Sequence, residues 1–278
     1  YTMRDIQDCE KLAEKCKSAE NIAVIGGGWI GLEIAATARQ QGKSVEIFEY
    51  GSRLCARSVS PEVSDFLKEM HENEGTVIHL NATKLHLIED SEQKIEVFDA
   101  DIKLKKFDCV VVGAGAEIAK ELASQADLVV KDGIAVNEFG QTSDPHIYAA
   151  GDCAIHPTLG FCIQSWANAQ NQAISAAKSM LGEMTAYQDI PWLWSDQYQN
   201  NIQILGTYKP EETAHIIIRK TSDMQQSFFY LNEQKQLINM IAVNDSKNIK
   251  LAKRWITSEK VLNPDQLQDT DFNLMKLK

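Results

Sequence analysis

The chain has 278 residues, which exceeds the usual size of one domain and predicts two or three compact units. Its 44% hydrophobic and 24% charged residues are ordinary for a globular protein with buried cores. The formal net charge of −11 disfavours partners such as nucleic acid or an anionic membrane surface, since both select basic faces. The longest apolar stretch, residues 21–38, contains several glycines and Glu33 and does not predict a membrane span.

Cysteine and histidine spacing argues against disulphide and metal chemistry. The six cysteines include no C-x-x-C pair and no zinc-like quartet, and the six histidines include no i, i+4 pair. No secretory pattern opens the chain, because residues 1–20 are charged and have helical character. We therefore expect no metal site, reduced thiols and a cytoplasmic location.

The first part of the chain predicts alternating strands and helices followed by an antiparallel meander. This order is typical of a doubly wound dinucleotide-binding domain, in which the first two strands lie side by side in a parallel sheet. Gly42 is expected to end the first crossover helix. The predicted strands are 21–25, 44–48, 76–80, 83–89, 94–98, a short piece near 102, and 107–112, and the predicted helices are 29–41 and 61–74.

The second part changes character after residue 126. Two short strands are predicted at 134–136 and 147–150, and a helix is predicted at 164–180. Beyond Pro191, strand-like runs at 202–205, 215–219, 227–231 and 237–243 and a basic helix at 246–256 predict an α+β unit. That helix carries Lys250, Lys253 and Arg254, the densest basic group of the chain. The tail, 263–278, is polar and is expected to be loosely held.

The strongest local signal is the glycine pattern after the first strand. Gly26, Gly28 and Gly31 form G-x-G-x-x-G between a predicted strand and a predicted helix. Gly26 permits a tight turn, Gly28 lets a pyrophosphate approach the backbone, and Gly31 lets the helix pack closely on the strand. The helix N-terminus adds unpaired N–H groups and a partial positive charge, so the pattern predicts a dinucleotide-binding site.

Glu49 ends the second strand, 23 positions after Gly26. This spacing is typical of the carboxylate that binds the adenine ribose. A carboxylate accepts hydrogen bonds from both ribose hydroxyls and repels a 2′-phosphate, which favours NADH over NADPH. Arg53 and Arg57 follow closely and weaken that preference.

A second glycine pair, Gly113 and Gly115, follows the last strand of the same predicted sheet. Ligands of doubly wound sheets lie at the carboxyl ends of the strands. We therefore expect this loop to line the dinucleotide cleft, with a simple chain reversal as the alternative.

Six segments together resemble a known family. VIGGGWIGLEIA, SPEVSDF, VVVGAG, TSDPHIYAAGDCA, SWANAQNQ and PWLWSDQY stand in the order found in FAD-containing ferredoxin reductases. Rubredoxin reductases and the reductase components of aromatic-ring dioxygenases are close relatives in that family. The resemblance extends from about Arg4 to Trp255, and P-W-x-W-S-D-Q-Y is specific for this branch.

The resemblance implies an α/β protein of three parts. These are a doubly wound NAD-binding domain with a leading helix (1–127), the second half of an FAD-binding domain (128–189) and a C-terminal α+β domain (190–278). Members of the family carry an FAD fingerprint ahead of the NAD domain, whereas here G-x-G-x-x-G occurs once and belongs to the NAD domain. We therefore expect roughly a hundred residues, including that fingerprint, to be missing before Tyr1.

The resemblance also implies roles for particular residues. Gly151 and Asp152 would bind the ribityl–phosphate part of FAD, and Trp194 and Asp196 would lie near its isoalloxazine ring. Glu33 would lie near the nicotinamide and act in catalysis. The alternatives are that Asp152 is a turn residue, Glu33 a surface residue and Trp194 a core aromatic.

The implied activity is that of an NADH-dependent flavoprotein reductase, with FAD and NAD as cofactors and ferredoxin or rubredoxin as electron acceptor. An NADH oxidase or peroxidase is the alternative enzyme and would need a redox cysteine near the flavin. A nucleotide-binding protein resembling the apoptosis-inducing factors, which bind DNA, is a third hypothesis that the acidic balance disfavours. The sequence leaves the carrier and the oligomeric state open.

Overall fold

The structure is a computed structural model, and it describes residues 1–92, 94–100 and 102–277. The chain divides into two compact units. The first consists of Tyr1–Gly115 and Ser195–Ile202, and the second consists of residues 116–194 together with the chain from Gln203 onward. The division into domains 1–127, 128–189 and 190–278 rests on family resemblance and stays a prediction.

A parallel sheet with crossover helices forms the centre of the first unit. Its strands and helices are α1 (Ile6–Ser18), β1 (Asn21–Ile25), α2 (Trp29–Gln40), β2 (Ser44–Phe48), α3 (Pro61–Asn73), β3 (Val77–His79), β4 (Leu85–Glu89), β5 (Ile95–Asp99), β6 (Ile102–Phe107) and β7 (Cys109–Val112). The parallel strands have the order β3-β2-β1-β7, and Ile22 lies opposite both Val45 and Cys109. The predicted doubly wound fold is confirmed.

Local sequence explains why these elements begin and end where they do. The middle of β1 is fully buried on both faces, which requires its aliphatic run. Helix α2 ends before Gly42, whose φ of +79° is the left-handed conformation that glycine adopts at little cost. Pro61 occupies the first turn of α3, where the N–H it lacks would have no helical partner.

The predicted meander is an antiparallel sheet of order β4-β5-β6. It contributes Val97 and Phe107 to a buried cluster with Phe48 and Val110 of the parallel sheet. The Phe48 and Phe107 rings meet edge to face at 5.9 Å between centroids. This packing joins the meander to the strands that carry the glycine fingerprint.

An antiparallel sheet of order β10-β11-β12-β9-β8 dominates the C-terminal part of the chain. The elements after β7 are α4 (Glu121–Gln125), α5 (Trp166–Met180), β8 (Trp192–Gln197), β9 (Asn200–Gly206), β10 (His215–Ser222), β11 (Gln225–Leu231), β12 (Leu237–Val243), α6 (Ser246–Thr257) and α7 (Pro264–Gln268). Ala252 and Trp255 of α6 pack in one buried cluster with Phe229 and Met240 of the sheet. No helix in the described part of the chain has the length and apolarity needed to cross a bilayer.

Two strand predictions in the second unit are wrong, and one strand was not predicted. Residues 134–136 and 147–150 form isolated bridges, Ile134 with Val130 and Ala154, and Tyr148 with Gln141. Bends at 131–133 and a turn at 138–140 bound residues 134–136, and a turn from Asp144 to Ile147 precedes residues 147–150, so neither run extends into a ladder. Strand β8 was not predicted because the polar residues Ser195, Asp196 and Gln197 follow its apolar start and break the strand pattern.

The prediction of a loosely held tail is also wrong. Leu267 and Leu274 are buried in the core beneath the C-terminal sheet. The guanidinium of Arg219, only 6% exposed, donates hydrogen bonds to four tail carbonyls, those of Leu267, Asp269, Thr270 and Phe272. Five guanidinium N–H groups can serve several carbonyls at once, so one side chain on β10 fixes the path of the tail.

Replacing Arg219 with Met should release the tail, because four carbonyl groups then lose their charged donor. A loss of stability of about 2–5 kcal/mol is expected from breaking a buried, hydrogen-bonded charge. The thermal midpoint should fall, and chymotrypsin should cleave near Phe272 faster. The control is Lys220→Met, which removes the neighbouring exposed cation. Equal behaviour of the two variants would show that the tail is held by its apolar contacts alone.

Candidate dinucleotide site

The fingerprint turn brings three backbone segments into contact. A Cβ on Gly26, where φ is +105°, would lie 2.5 Å from the carbonyl oxygen of Gly113. A Cβ on Gly31 would overlap the carbonyl oxygen of Gly26. By contrast, a Cβ on Gly28 would meet nothing within 4 Å. The turn therefore needs two glycines for packing, and the third leaves open space at the N-terminus of α2, where a phosphate would approach.

Glu49 lies against this turn. Its Oε2 accepts a hydrogen bond of 2.6 Å from the Gly27 N–H, and its Oε1 accepts one of 2.6 Å from the Gly51 N–H. Two backbone donors fix the orientation of the carboxylate. A carboxylate offers about four acceptor positions, so positions remain for ribose hydroxyls.

The loop after β2 covers the fingerprint turn and engages one of the two nearby arginines. Leu54 packs on Gly27, and Trp29 donates a 3.1 Å hydrogen bond to Ser58. The Arg53 guanidinium donates to the carbonyls of Val59 and Ala56 within this loop. Arg57 is exposed, so it is the cation of this pair that remains open to solvent.

The loop after β7 lies beside the fingerprint turn. The Gly113 N–H donates a 2.7 Å hydrogen bond to the carbonyl oxygen of Ile25, and the Arg57 guanidinium lies next to Gly115. The structure therefore brings Gly26, Gly113 and Gly115 to the same end of the parallel sheet.

Glu33 lies on α2, two residues after Gly31, and is half-buried. Its Oε1 accepts a 2.5 Å hydrogen bond from the Ser195 hydroxyl. Burial raises the pKa of the Glu33 carboxyl, the Ser195 hydrogen bond opposes that rise, and the nearby Asp196 charge adds to it. Glu33 is thus held by a specific partner and is not a plain surface residue.

In the second unit, Gly151 and Asp152 form a single 3-10 turn that packs on α5. Gly151 has a φ of +79°, contacts Ala169, and donates its N–H to Gln172 Oε1 at 2.8 Å. Gln172 is buried, and its Nε2 has no partner among the described residues. The Asp152 carboxylate is partly exposed and accepts no hydrogen bond from the described residues. An unpaired carboxylate on this turn and an unpaired amide donor on the residue that binds the turn suit a ligand that carries hydroxyl and phosphate groups.

Strand β8 carries two of the predicted residues on one face. Trp194 is 40% exposed and lies 5.1 Å from the Trp192 ring and 6.0 Å from the Trp166 ring. Asp196 is exposed and accepts a 2.7 Å hydrogen bond from Asn201. The opposite face of the strand presents Ser195, which is 1% exposed.

Sequence reasoning missed the polar residues that lie behind Glu33. Ser195, Gln197 and Tyr198 belong to the PWLWSDQY segment, in which the family resemblance assigns roles only to Trp194 and Asp196. His71 belongs to no metal-ligand pair in the sequence and carries no predicted role. The signal was present in α3, since Val63, Ser64, Leu67 and His71 form its buried face and make His71 a polar residue facing inward.

Comparison with known proteins decides the family. Residues 1–173 match the family described as pyridine nucleotide-disulphide oxidoreductase, and residues 192–278 match the reductase C-terminal family. The chain belongs to the pyridine nucleotide-disulphide oxidoreductases. This oxidoreductase is 31% identical to a ferredoxin reductase from Rhodopseudomonas palustris, with a TM-score of 0.90, covering 99% of this chain and 69% of that one.

Two further structures are similar to this oxidoreductase. The putidaredoxin reductase of a covalent complex with putidaredoxin is 31% identical, with a TM-score of 0.89, over 99% of this chain and 67% of that chain. A water-forming NADH oxidase from Lactobacillus brevis is 16% identical, with a TM-score of 0.84, over 99% of this chain and 68% of that chain. The second similarity shows the fold alone.

The predicted family, fold class, enzyme class and cofactors are confirmed: the chain is an FAD- and NAD(H)-dependent oxidoreductase. The residues present fit both cofactors. The open N-terminus of α2 with Glu49 fits NAD(H), and the Gly151–Asp152 turn with the unpaired amide of Gln172 fits FAD. The assignment of individual residues stays a prediction. No group of three or more His, Cys, Asp or Glu among the described residues is placed to hold a metal ion.

Substitutions at two fingerprint glycines should have different effects, one on NADH binding and the other on the stability of the fold. Gly28→Ala should fold as the parent does, because Gly28 has a φ of −84° and open space around its Cα. The added methyl would stand where the pyrophosphate approaches and should weaken NADH binding by about tenfold or more. Gly31→Ala should instead lower the thermal midpoint, since overpacking costs about 1–3 kcal/mol. Calorimetric titration and thermal melts check both. Unchanged NADH affinity in Gly28→Ala would contradict the phosphate role.

Proposed function

We propose that this oxidoreductase passes electrons from NADH through FAD to a small iron–sulphur carrier of the ferredoxin or rubredoxin type. The observation that carries the proposal is the 31% identity over 99% of the chain to a ferredoxin reductase and to a reductase captured with putidaredoxin. Both similarities include the C-terminal part of the chain, which matches the reductase C-terminal family.

The properties of the cysteines support direct electron transfer from the flavin to the carrier, without a dithiol relay. All six thiols are free, and the sequence contains no C-x-x-C. Burial raises the pKa of Cys55 and raises that of Cys109 to about 11, which leaves both as poor nucleophiles. A dithiol relay of the kind used by disulphide reductases therefore has no support in these residues.

The chain's own residues bind and orient the nucleotide. When bound, FAD would supply hydride uptake from NADH and release of single electrons, and the protein would supply position and electrostatics. The N-terminus of α2 and Gly28 would hold the pyrophosphate of NADH, and Glu49 would accept hydrogen bonds from its adenine ribose. Glu33, further along α2, would place its carboxylate near the nicotinamide.

An NADH oxidase is the second candidate, and the similarity to the Lactobacillus brevis enzyme favours it only at the level of fold. That chemistry would need a reactive cysteine at the flavin. DNA binding of the kind shown by apoptosis-inducing factors is disfavoured by the net charge of −11.

The carrier is proposed to dock on the C-terminal part of the chain. Lys250, Lys253 and Arg254 are exposed on α6, and none of them forms an ion pair with any described residue. Carriers of this type are commonly acidic, so these cations would steer their approach, and the exposed Trp194 adds an aromatic contact.

Cofactor choice is predicted to depend on Glu49. Glu49→Gln removes the charge that faces a 2′-phosphate and should shift the ratio of kcat/KM toward NADPH by about tenfold. Steady-state dye reduction with both nucleotides measures the ratio. Glu69→Gln, an exposed change on α3, is the matched control. A parent enzyme that uses NADH and NADPH equally would refute the ribose role.

Substitutions at the proposed docking surface, Lys250, Lys253 and Arg254, are predicted to slow reduction of the carrier and to leave reduction of dyes unchanged. Replacing Lys250, Lys253 and Arg254 with Gln should slow ferredoxin or rubredoxin reduction about three- to tenfold at low salt, because electrostatic steering is lost. Reduction of a small dye should not change. The control replaces the exposed Lys131, Lys178 and Lys220 with Gln. Equal loss with dye and carrier, or no loss with the carrier, would remove the docking role.

A further inference from the structure

A continuous chain of hydrogen bonds crosses the first unit from Thr76, just before β3, to Glu33 on α2. Its members, in order, are Thr76, Tyr198, His71, Gln197, Ser195 and Glu33, and successive polar atoms lie 3.3, 3.0, 2.9, 3.0 and 2.5 Å apart. His71 and Gln197 are fully buried, and Ser195 is 1% exposed. Water therefore cannot substitute for these bonds, and each group depends on its neighbours in the chain.

The chemistry of the groups fixes the direction of the bonds near Glu33. A carboxylate only accepts, so the Ser195 hydroxyl gives its one proton to Glu33 Oε1. The Ser195 oxygen is then an acceptor, and Gln197 Nε2 donates to it. This turns the Gln197 carbonyl oxygen toward His71 Nε2, so Nε2 must carry a hydrogen.

The direction continues through the histidine. With the hydrogen on Nε2, a neutral His71 presents bare Nδ1, which accepts from the Tyr198 hydroxyl. The Tyr198 oxygen in turn accepts from Thr76. Burial lowers the pKa of His71, which agrees with a neutral ring, and the hydrogen bond to Gln197 opposes that shift. All five bonds then point toward Glu33.

We propose that His71 is a positioning residue for Glu33, and that it acts through Gln197 and Ser195 as part of this one-directional chain. The neutral Nε2–H tautomer of His71 orients the Gln197 amide, which in turn orients the Ser195 hydroxyl toward the carboxylate. Glu33 is thereby kept ionised and in one rotamer on α2. The inference rests on the proposed function only for its kinetic test.

Charged groups act on both ends of this chain. Asp196 acts on Glu33 and disfavours its ionised form. Glu74 and Arg39 act on Tyr198 with opposite signs, while burial raises the pKa of Tyr198 most. The Ser195 hydrogen bond is therefore the interaction that favours the charged form of Glu33 against burial and Asp196.

Imidazole nitrogen NMR tests the tautomer without any turnover. His71 should show the neutral Nε2–H form at pH 7 in the parent chain, with its ring signals assigned through their covalent connection to the backbone signals of residue 71. An Nδ1–H tautomer or a charged ring would overturn the proposal. Because this measurement needs no substitution to be tolerated, it decides the question even where a variant fails to fold.

Two substitutions of similar polarity test the action on Glu33. His71→Gln keeps an N–H near the position of Nε2, whereas His71→Asn keeps a polar group only near Nδ1. Carbonyl NMR of labelled Glu side chains should show a higher Glu33 pKa in His71→Asn and Ser195→Ala, because each change interrupts the bond that favours the ionised form. His71→Gln should stay close to the parent. The same Glu33 pKa in the Asn and Gln variants would refute the coupling.

Kinetics provide an independent readout. His71→Asn should lower kcat for NADH-dependent dye reduction about fivefold, and His71→Gln should remain within about twofold of the parent. In a Ser195→Ala background the two should be equal, because the link to Glu33 is already broken. His86→Asn, at an exposed histidine on β4, is the control.

The outcomes separate this inference from the proposed function. A persistent difference between Asn and Gln in the Ser195→Ala background would mean that His71 acts on the fold and not through Ser195. A parent enzyme that reduces neither dye nor carrier with NADH would refute the proposed function, while the NMR results on His71 and Glu33 would stand.

Discussion

Close backbone contact at the fingerprint turn determines the geometry of the first unit. Gly31 of α2 lies against the carbonyl group of Gly26, and Gly26 lies against that of Gly113. Side chains at these positions would push α2 away from β1 and β1 away from the loop after β7. Because the helix starts at this contact, its free N–H groups are aimed at the end of the sheet where the second glycine loop also lies. The positions of Glu49 and Glu33 both depend on this backbone contact.

Polar groups near this contact are oriented by their partners, so little adjustment is needed when a ligand binds. Two backbone N–H groups hold Glu49, and a buried hydroxyl holds Glu33. In each case the protein occupies only some of the acceptor positions of the carboxylate, and the others can still accept hydrogen bonds. Such preorganisation lowers the cost of ordering side chains on binding.

The sequence predicted the elements and turns that depend on residues close to one another along the chain. Strands β1 and β2, helix α2 and the role of Gly26 follow from patterns within about thirty residues of one another. The bonds from His71 to Gln197 and from Glu33 to Ser195 join residues 126 and 162 positions apart, and no local pattern reveals such pairs. The composition of residues 134–136 predicts a strand. In the structure Ile134 forms only single bridges with Val130 and Ala154, and no neighbouring strand extends them into a ladder. The tail appeared loose because its polar residues conceal the buried Leu267 and Leu274.

Arg219 has a consequence for the order in which this protein can fold during synthesis. Its guanidinium lies on β10, yet its acceptors are carbonyl groups of residues 267–272, about fifty positions later. Until those residues leave the ribosome, the charge cannot be buried without a large desolvation penalty. The C-terminal sheet therefore stays open around β10 while strands β11 and β12 and helices α6 and α7 are made. A chain that stalls shortly before residue 267 would therefore leave the Arg219 guanidinium without these acceptors.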